Sequence, residues 1–183
     1  ESLVEPFAAG LRDAFAALTM GPGIEHTTDL GAMVSNKERD KILALVDEAR
    51  AEGVEVITAQ EAPTAGAFVA PSVVLGVEHG STLTRNEIFG PVAPIVAVSS
   101  TEEAVRMAND TEFGLISYVY AADAGTGVKV ARQMESGMVA VNRGIASDPA
   151  APFGGMKESG LGREGGFAGI KEFLEMQYIA VDL

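Results

Sequence analysis

Short apolar runs alternate with amphipathic helical stretches along this chain, which predicts an α/β fold: a mostly parallel, open sheet with flanking helices. Three observations carry that prediction. Ser-x-x-Glu capping boxes (Ser2/Glu5, Ser35/Glu38, Ser100/Glu103) open stretches with apolar residues at helical spacing. Apolar runs of strand length lie near 54–57, 68–75, 92–98, 113–121 and 138–141. Gly and Pro mark the boundaries, as at Gly21-Pro22-Gly23, Gly53 and Gly137.

Taken in order, residues 2–18 form the first expected helix. Pro6 sits in its first turn, and Phe7, Leu11, Ala14, Phe15 and Leu18 make one apolar face. A polar loop with His26 and Asp29 follows. The second helix starts at Ser35, turns Ile42, Leu45, Val46 and Ala49 inward, and stops at Gly53. Val54, Val56 and Ile57 make a short strand, and Phe68 to Leu75 an extended segment that Pro71 marks as an edge or a break. Beyond the strand near 92–98, a helix carries Ala104, Val105 and Ala108. Phe113 to Ala121 is expected as a strand, and Asp123 caps a helix through Val128, Ala131 and Met134. Met138 to Val141 is a short buried strand. A long Gly-rich loop covers 142–166, then a short helix at 166–171 and a last strand, Phe173 to Val181. No internal repeat or linker interrupts this order, so a single unit is expected.

Composition narrows the function. With 47% apolar and 21% charged residues, the 183-residue chain is that of a folded soluble protein. Its net charge of −13 repels phosphate backbones and anionic lipid, so no nucleic-acid or membrane partner is expected. There is no Cys, which excludes a disulfide, a thiolate metal site or a cysteine nucleophile within these residues. The start lacks an initiator Met and a signal-peptide core, so the expectation is a chain that begins partway through a longer, cytoplasmic protein.

Asn86-Glu87-Ile88-Phe89-Gly90-Pro91-Val92 is the densest candidate site. In an extended segment, an acid and an aromatic two residues apart point the same way. A carboxylate binds a vicinal diol such as a ribose with two hydrogen bonds, and an aromatic ring beside it covers a flat heterocycle. The same residues also describe a strand entry with a solvated Glu87 and a core Phe89, and the pattern alone favours that plainer reading. Gly160-Leu161-Gly162-Arg163-Glu164-Gly165 fits G-x-G-x-x-G letter by letter. It follows a polar loop rather than a strand, and too little chain remains to complete a βαβ unit, so it is set aside. His26 and His79 lack metal-site spacing, and no metal site is expected.

Three stretches together resemble one family. They are Glu87-Ile88-Phe89-Gly90-Pro91, the run from Asn109 to Leu115 (NDTEFGL), and the run from Pro152 to Glu164 (PFGGMKESGLGRE). In order and spacing they are similar to the C-terminal part of an NAD(P)-dependent aldehyde dehydrogenase, over essentially the whole chain. The ending Glu172 to Tyr178 and the Gly144-Ile145-Ala146-Ser147 loop resemble the succinate-semialdehyde dehydrogenase branch most.

The resemblance implies thiolate attack on an aldehyde, hydride transfer to nicotinamide and hydrolysis of the thioester. The family's cysteine, its general-base Glu, its oxyanion-binding Asn and the Rossmann half lie upstream, so no residue here is expected to be catalytic. Glu87 matches the acid on the nicotinamide ribose of NAD or NADP, Phe89 the ring near the nicotinamide, and Ser147 a contact to the distal carboxylate of the substrate. The 152–155 turn and Arg163-Glu164 match structural positions. The resemblance also implies a catalytic-domain fragment at 1–172 and a strand at 173–183 that joins a neighbouring subunit's sheet in a homodimer or homotetramer. The implied activity is oxidation of succinate semialdehyde by the intact enzyme, with the fragment alone inactive. Two alternatives stay open: a non-catalytic binding or oligomerisation module of this fold, and a dehydrogenase for a different aldehyde.

Overall fold

Ser35, Ser100 and Asp123 each start a helix, as their spacing predicts. Ser35 Oγ accepts from the Glu38 N–H at 3.2 Å, Ser100 Oγ from Glu103 at 3.1 Å and Asp123 Oδ1 from Thr126 at 2.9 Å. Ser2 does not. In the computed structural model, which describes residues 1–182, the first helix is capped by Leu3 in a helical conformation with no side-chain bond. Ser2 lies within the turn closed by the bond from the Val4 N–H to the Glu1 carbonyl, so it is not placed to cap.

The chain forms two compact units, Glu1–Ser99 and Ser100–Leu183, where a single unit was expected for 1–172. In the first, α1 (Val4–Ala16) and α2 (Asn36–Ala51) cover a three-stranded sheet of β1 (Glu55–Thr58), β2 (Ser72–Leu75) and β3 (Val92–Pro94). The central β2 runs antiparallel to β1 and parallel to β3. All four of its residues are buried. Alternation along it decides which helix each residue meets: Val74 packs with Ile42, Val46 and Ala49 of α2, while Val73 and Leu75 pack with Ala8 of α1. Pro71 is the break that the sequence marks, for the ladder begins one residue later. The short helix α3 (Thr82–Arg85) connects β2 to the stretch before β3. It has a single turn, and helical periodicity cannot reveal so short an element.

The second unit holds α4 (Thr101–Asn109), β4 (Phe113–Gly114), β5 (Ile116–Val119), α5 (Ala124–Ala131), β6 (Met138–Val141), β7 (Met156–Lys157) and α6 (Gly166–Gly169). β5 and β6 pair in parallel, with α5 as the crossover between them. β4 and β7 pair antiparallel. The α/β class therefore holds, but the strands fall into three small sheets with both orientations rather than one mostly parallel sheet. The physical reason is visible at Gly114-Leu115, where the run expected as one strand changes partner: Gly114 pairs with Met156, and Ile116 with Met138.

The loop 142–166 is tied to the fold by β7 and by a reciprocal main-chain bridge between Phe153 and Glu164. The Arg163 guanidinium donates to the Gly155 carbonyl at 2.7 Å and the Gly162 carbonyl at 2.6 Å. A 3₁₀ turn, Ile170–Phe173, follows α6. Residues 174–182 have no ladder partner among the described residues, so the strand expected there is not formed, and they expose Met176 (99%) and Tyr178 (88%). Leu183, the last residue of the expected strand, lies outside the described residues. Among those residues no helix is long and apolar enough to cross a membrane.

Two outcomes follow from this packing. A Cβ at Gly137 would run into the Gly154 main chain, so Gly137→Ala should lower the stability of the second unit by about 1–3 kcal/mol in denaturant unfolding; a wild-type midpoint would contradict the contact. The Thr126 N–H and hydroxyl hold the Asp123 carboxyl below its ordinary range. A depressed folded-state pKa means that the cap stabilises above the unfolded value near ~4 and that this contribution is lost as pH falls through the folded value. The protection of the Thr126 amide, relative to its intrinsic exchange rate, should therefore fall in acid, and Asp123→Asn, which caps without titrating, should remove that dependence.

Candidate functional site

The turn between α3 and β3 is shaped by what sits beneath it. Ile42 of α2 is fully buried, and a Cβ on Gly90 would come within 2.5 Å of its Cδ1. A side chain at position 90 would force the buried Ile42 side chain to shift. Ile88 packs against the α2 core, which leaves Glu87 and Phe89 exposed on either side of it. Phe89 takes a left-handed conformation, φ 54°. That costs a non-glycine residue roughly 1–2 kcal/mol, so the segment is not extended as the sequence suggests.

Phe89 is 77% exposed, which overturns the plainer expectation of a core ring. Lys41 Nζ donates to the Glu87 carbonyl at 3.2 Å and ties the turn to α2. Asn86 Nδ2 donates back to the Thr82 carbonyl at 2.9 Å, closing α3 just ahead of the turn. The Glu87 carboxylate makes no hydrogen bond or ion pair with the described residues. The turn thus leaves the Glu87 carboxylate and the Phe89 ring both exposed, held by main-chain contacts. A vicinal diol and a flat heterocycle fit those two groups, and so the nicotinamide riboside end of NAD or NADP fits them too.

Ser147 belongs to the second unit, whereas Glu87 and Phe89 share one turn of the first. Its loop leaves β6 through Asn142, another left-handed residue, φ 53°. The Asn142 N–H donates to the Val119 carbonyl at 2.9 Å, continuing the β5–β6 ladder. Its side chain pairs with the Ala121 main chain in both directions, Ala121 N–H to Oδ1 at 2.8 Å and Nδ2–H to the Ala121 carbonyl at 2.9 Å. Ser147 is exposed and lines a cleft of about 240 Å³ together with Arg143, Ala146, Asp148 and β6. Asp148 Oδ1 accepts from the Ala150 N–H at 2.9 Å. Among the described residues no group of three or more His, Cys, Asp or Glu side chains could hold a metal ion.

The sequence reading missed Lys41, Ile42 and Asn142 as supports of these loops. Nothing local links residue 41 to residue 87. Asn142 did carry a signal, since Asn after an apolar run and two residues before Gly is the side chain best suited to a left-handed turn.

Residues 1–179 match the profile described as "Aldehyde dehydrogenase family". The chain is 41% identical to the succinate-semialdehyde dehydrogenase of Paenarthrobacter nicotinovorans over 183 residues, which is 99% of this chain and 40% of that protein. It is 37% identical to the glutarate-semialdehyde dehydrogenase of Pseudomonas putida, covering 100% of this chain and 38% of that protein. The fold superposes on the NAD+ complex of an aldehyde dehydrogenase from Bacillus cereus with a TM-score of 0.89 and 33% identity, over 96% of this chain and 36% of that one. The chain belongs to the aldehyde dehydrogenase family, and it spans about two fifths of the length of the relatives named here.

The contact beneath the turn can be tested alone. Gly90→Ala should cost about 1–3 kcal/mol in denaturant unfolding, and Ile42→Val, which shortens the opposing side chain, should recover part of that loss. Simple additivity of the two changes would mean that they do not touch.

Proposed function

We propose that the protein containing this chain oxidises succinate semialdehyde to the dicarboxylate with NAD or NADP. The observation that supports this most is the Glu87–Gly90 turn, which offers a free carboxylate and an exposed ring in a conformation strained for phenylalanine. When bound, the nicotinamide ring supplies the hydride acceptor. In this reading the chain's own residues bind and orient. Glu87 would accept hydrogen bonds from the nicotinamide ribose, and Phe89 would cover the nicotinamide. The Ser147 hydroxyl donates to the distal carboxylate of the aldehyde, which sets how far the substrate enters.

With no Cys among its residues, the chain has no group to attack the aldehyde, and by itself it should be inactive. The attacking thiolate is then supplied by another part of the protein. Residues 1–172 would contribute to the catalytic domain, and 173–183 would add a strand to a neighbouring subunit in a cytoplasmic homodimer or homotetramer. The run of exposed apolar side chains at Phe173, Leu174, Met176, Tyr178, Ile179 and Val181 supports that use. The identity to a glutarate-semialdehyde dehydrogenase makes the five-carbon homologue the second substrate to assay.

In the full-length protein, Glu87→Gln should raise the KM for the nicotinamide cofactor about 10-fold, since hydrogen bonds to a charged group contribute ~1.5–3 kcal/mol; an unchanged KM and kcat would remove Glu87 from the site. Ser147→Ala should raise the KM for succinate semialdehyde about 10-fold on the same grounds, and unaltered kinetics would remove Ser147.

A further inference from the structure

Lys157 is bonded on three sides. Its Nζ donates to the Asn109 carbonyl at 2.6 Å and the Thr111 carbonyl at 3.0 Å, and it pairs with the Glu135 carboxylate at 2.7 Å. An ammonium carries three N–H donors, and these acceptors use them all. Lys41, by comparison, donates to the Glu87 carbonyl alone. The Lys157 side chain is 25% exposed, and its backbone is left-handed, φ 54°, a conformation that residues with a Cβ rarely adopt. A strained backbone and an ordered long side chain together bring one amino group to this place.

The place is a junction of segments. Asn109 ends α4, and its side chain donates to the Gln133 carbonyl at 2.8 Å and accepts from the Glu135 N–H at 2.9 Å. The turn from α5 into β6 is therefore tied to the end of α4. β7, which contains Lys157, pairs with β4, and Gly114 of β4 accepts from the Gly137 N–H at 2.9 Å just before β6. Main-chain bonds thus join β6 to β7 through one short strand, which by itself leaves a pivot. The Lys157–Glu135 pair is a second attachment between the same segments, and it removes that pivot. These segments carry the walls of the cleft that Ser147 lines. Gly137 and β6 form one wall, and Ala151, Pro152 and Phe153, just ahead of β7, form another. Contact limits closing, because the main chains lie so near that a Cβ on Gly137 would overlap the Gly154 carbonyl. The bonds of Lys157 limit opening, so the spacing of a cleft of about 240 Å³ is bounded from both sides.

We infer that Lys157 is a positioning residue that sets the spacing of these walls and thereby the length of aldehyde the cleft accepts. The inference rests on the reading of the Ser147 cleft as the place of the aldehyde, and it adds to that reading a control on substrate size. Lys157 acts without touching the aldehyde, since its donors are taken by the protein. When Lys157 cannot hold, the walls separate, a short aldehyde loses contact on one side and a longer one gains room.

The test uses the full-length protein with succinate semialdehyde and with glutarate semialdehyde, which is one carbon longer. Lys157→Met keeps the side-chain length without the charge or the donors. It should lower the ratio of kcat/KM for the shorter over the longer aldehyde about 10-fold, the scale of hydrogen bonds made by a charged group, with the KM for the nicotinamide cofactor within about 2-fold. Glu135→Gln, at a carboxylate that is 59% exposed, should move the ratio the same way by about 2- to 3-fold. It carries the test if the methionine variant does not fold. Lys157→Arg retains the charge and should recover part of the ratio. Equal losses for the two aldehydes, or a cofactor KM that rises in step with them, would overturn the inference, because a lysine that only stabilises the fold would act that way. An unchanged ratio in both variants would overturn it as well. If Ser147→Ala leaves the kinetics unaltered while Lys157→Met shifts the ratio, the Ser147 contact is refuted and the role of Lys157 stands. A wild-type protein that oxidises neither aldehyde would refute the substrate reading and this inference together.

Discussion

The close approach of Ile42 to Gly90 is the contact on which the Glu87–Gly90 turn of the first unit depends. Without a Cβ at 90, α2 seats its fully buried isoleucine directly beneath the chain. Ile88 is then drawn into the same core and the neighbouring residues are pushed outward. The left-handed strain at Phe89, roughly 1–2 kcal/mol, is offset by burying side chains such as Ile42 and Val92, each contributing about 1.5–3 kcal/mol. A buried packing contact thus holds a carboxylate and a ring at the surface without either of them taking part in the packing. That arrangement keeps both free for a ligand.

The second unit reaches a similar end by different means. Its long loop is held by groups that imitate main chain: the Asn142 amide against Ala121, the Arg163 guanidinium against Gly155 and Gly162, and the bridge between Phe153 and Glu164. Glycines at 137 and 154 let these segments touch where a side chain would block them. Ser147 stays exposed on the loop that these contacts hold.

Much of this was legible in the sequence, and the parts that were not share a cause. The caps at Ser35, Ser100 and Asp123, the α2 core face and the break at Pro71 are local signals, and the structure keeps them. Glu87 and Phe89 were legible as a pair, although the pattern alone favoured a core phenylalanine. The choice depended on Ile42, which is 48 positions from Gly90 in sequence. Ser2 was read as a cap because the box pattern does not say where the helix begins. The division of 113–121 between two partners was hidden for the same reason that strand order usually is, since pairing partners are not written in a strand's own residues. The expected final strand is not formed: residues 174–182 pair with no described strand, and their apolar side chains are exposed.

The central claim is that Glu87 and Phe89 hold the nicotinamide riboside end of a dinucleotide in a member of the aldehyde dehydrogenase family. A crystal structure of the full-length protein with NAD or NADP tests it most directly. The account predicts both Glu87 carboxylate oxygens within about 3.2 Å of the hydroxyls of the nicotinamide ribose, with the Phe89 ring against the nicotinamide and its backbone still left-handed. A bound cofactor whose ribose hydroxyls are met by other side chains, with Glu87 pointing into solvent, would contradict it.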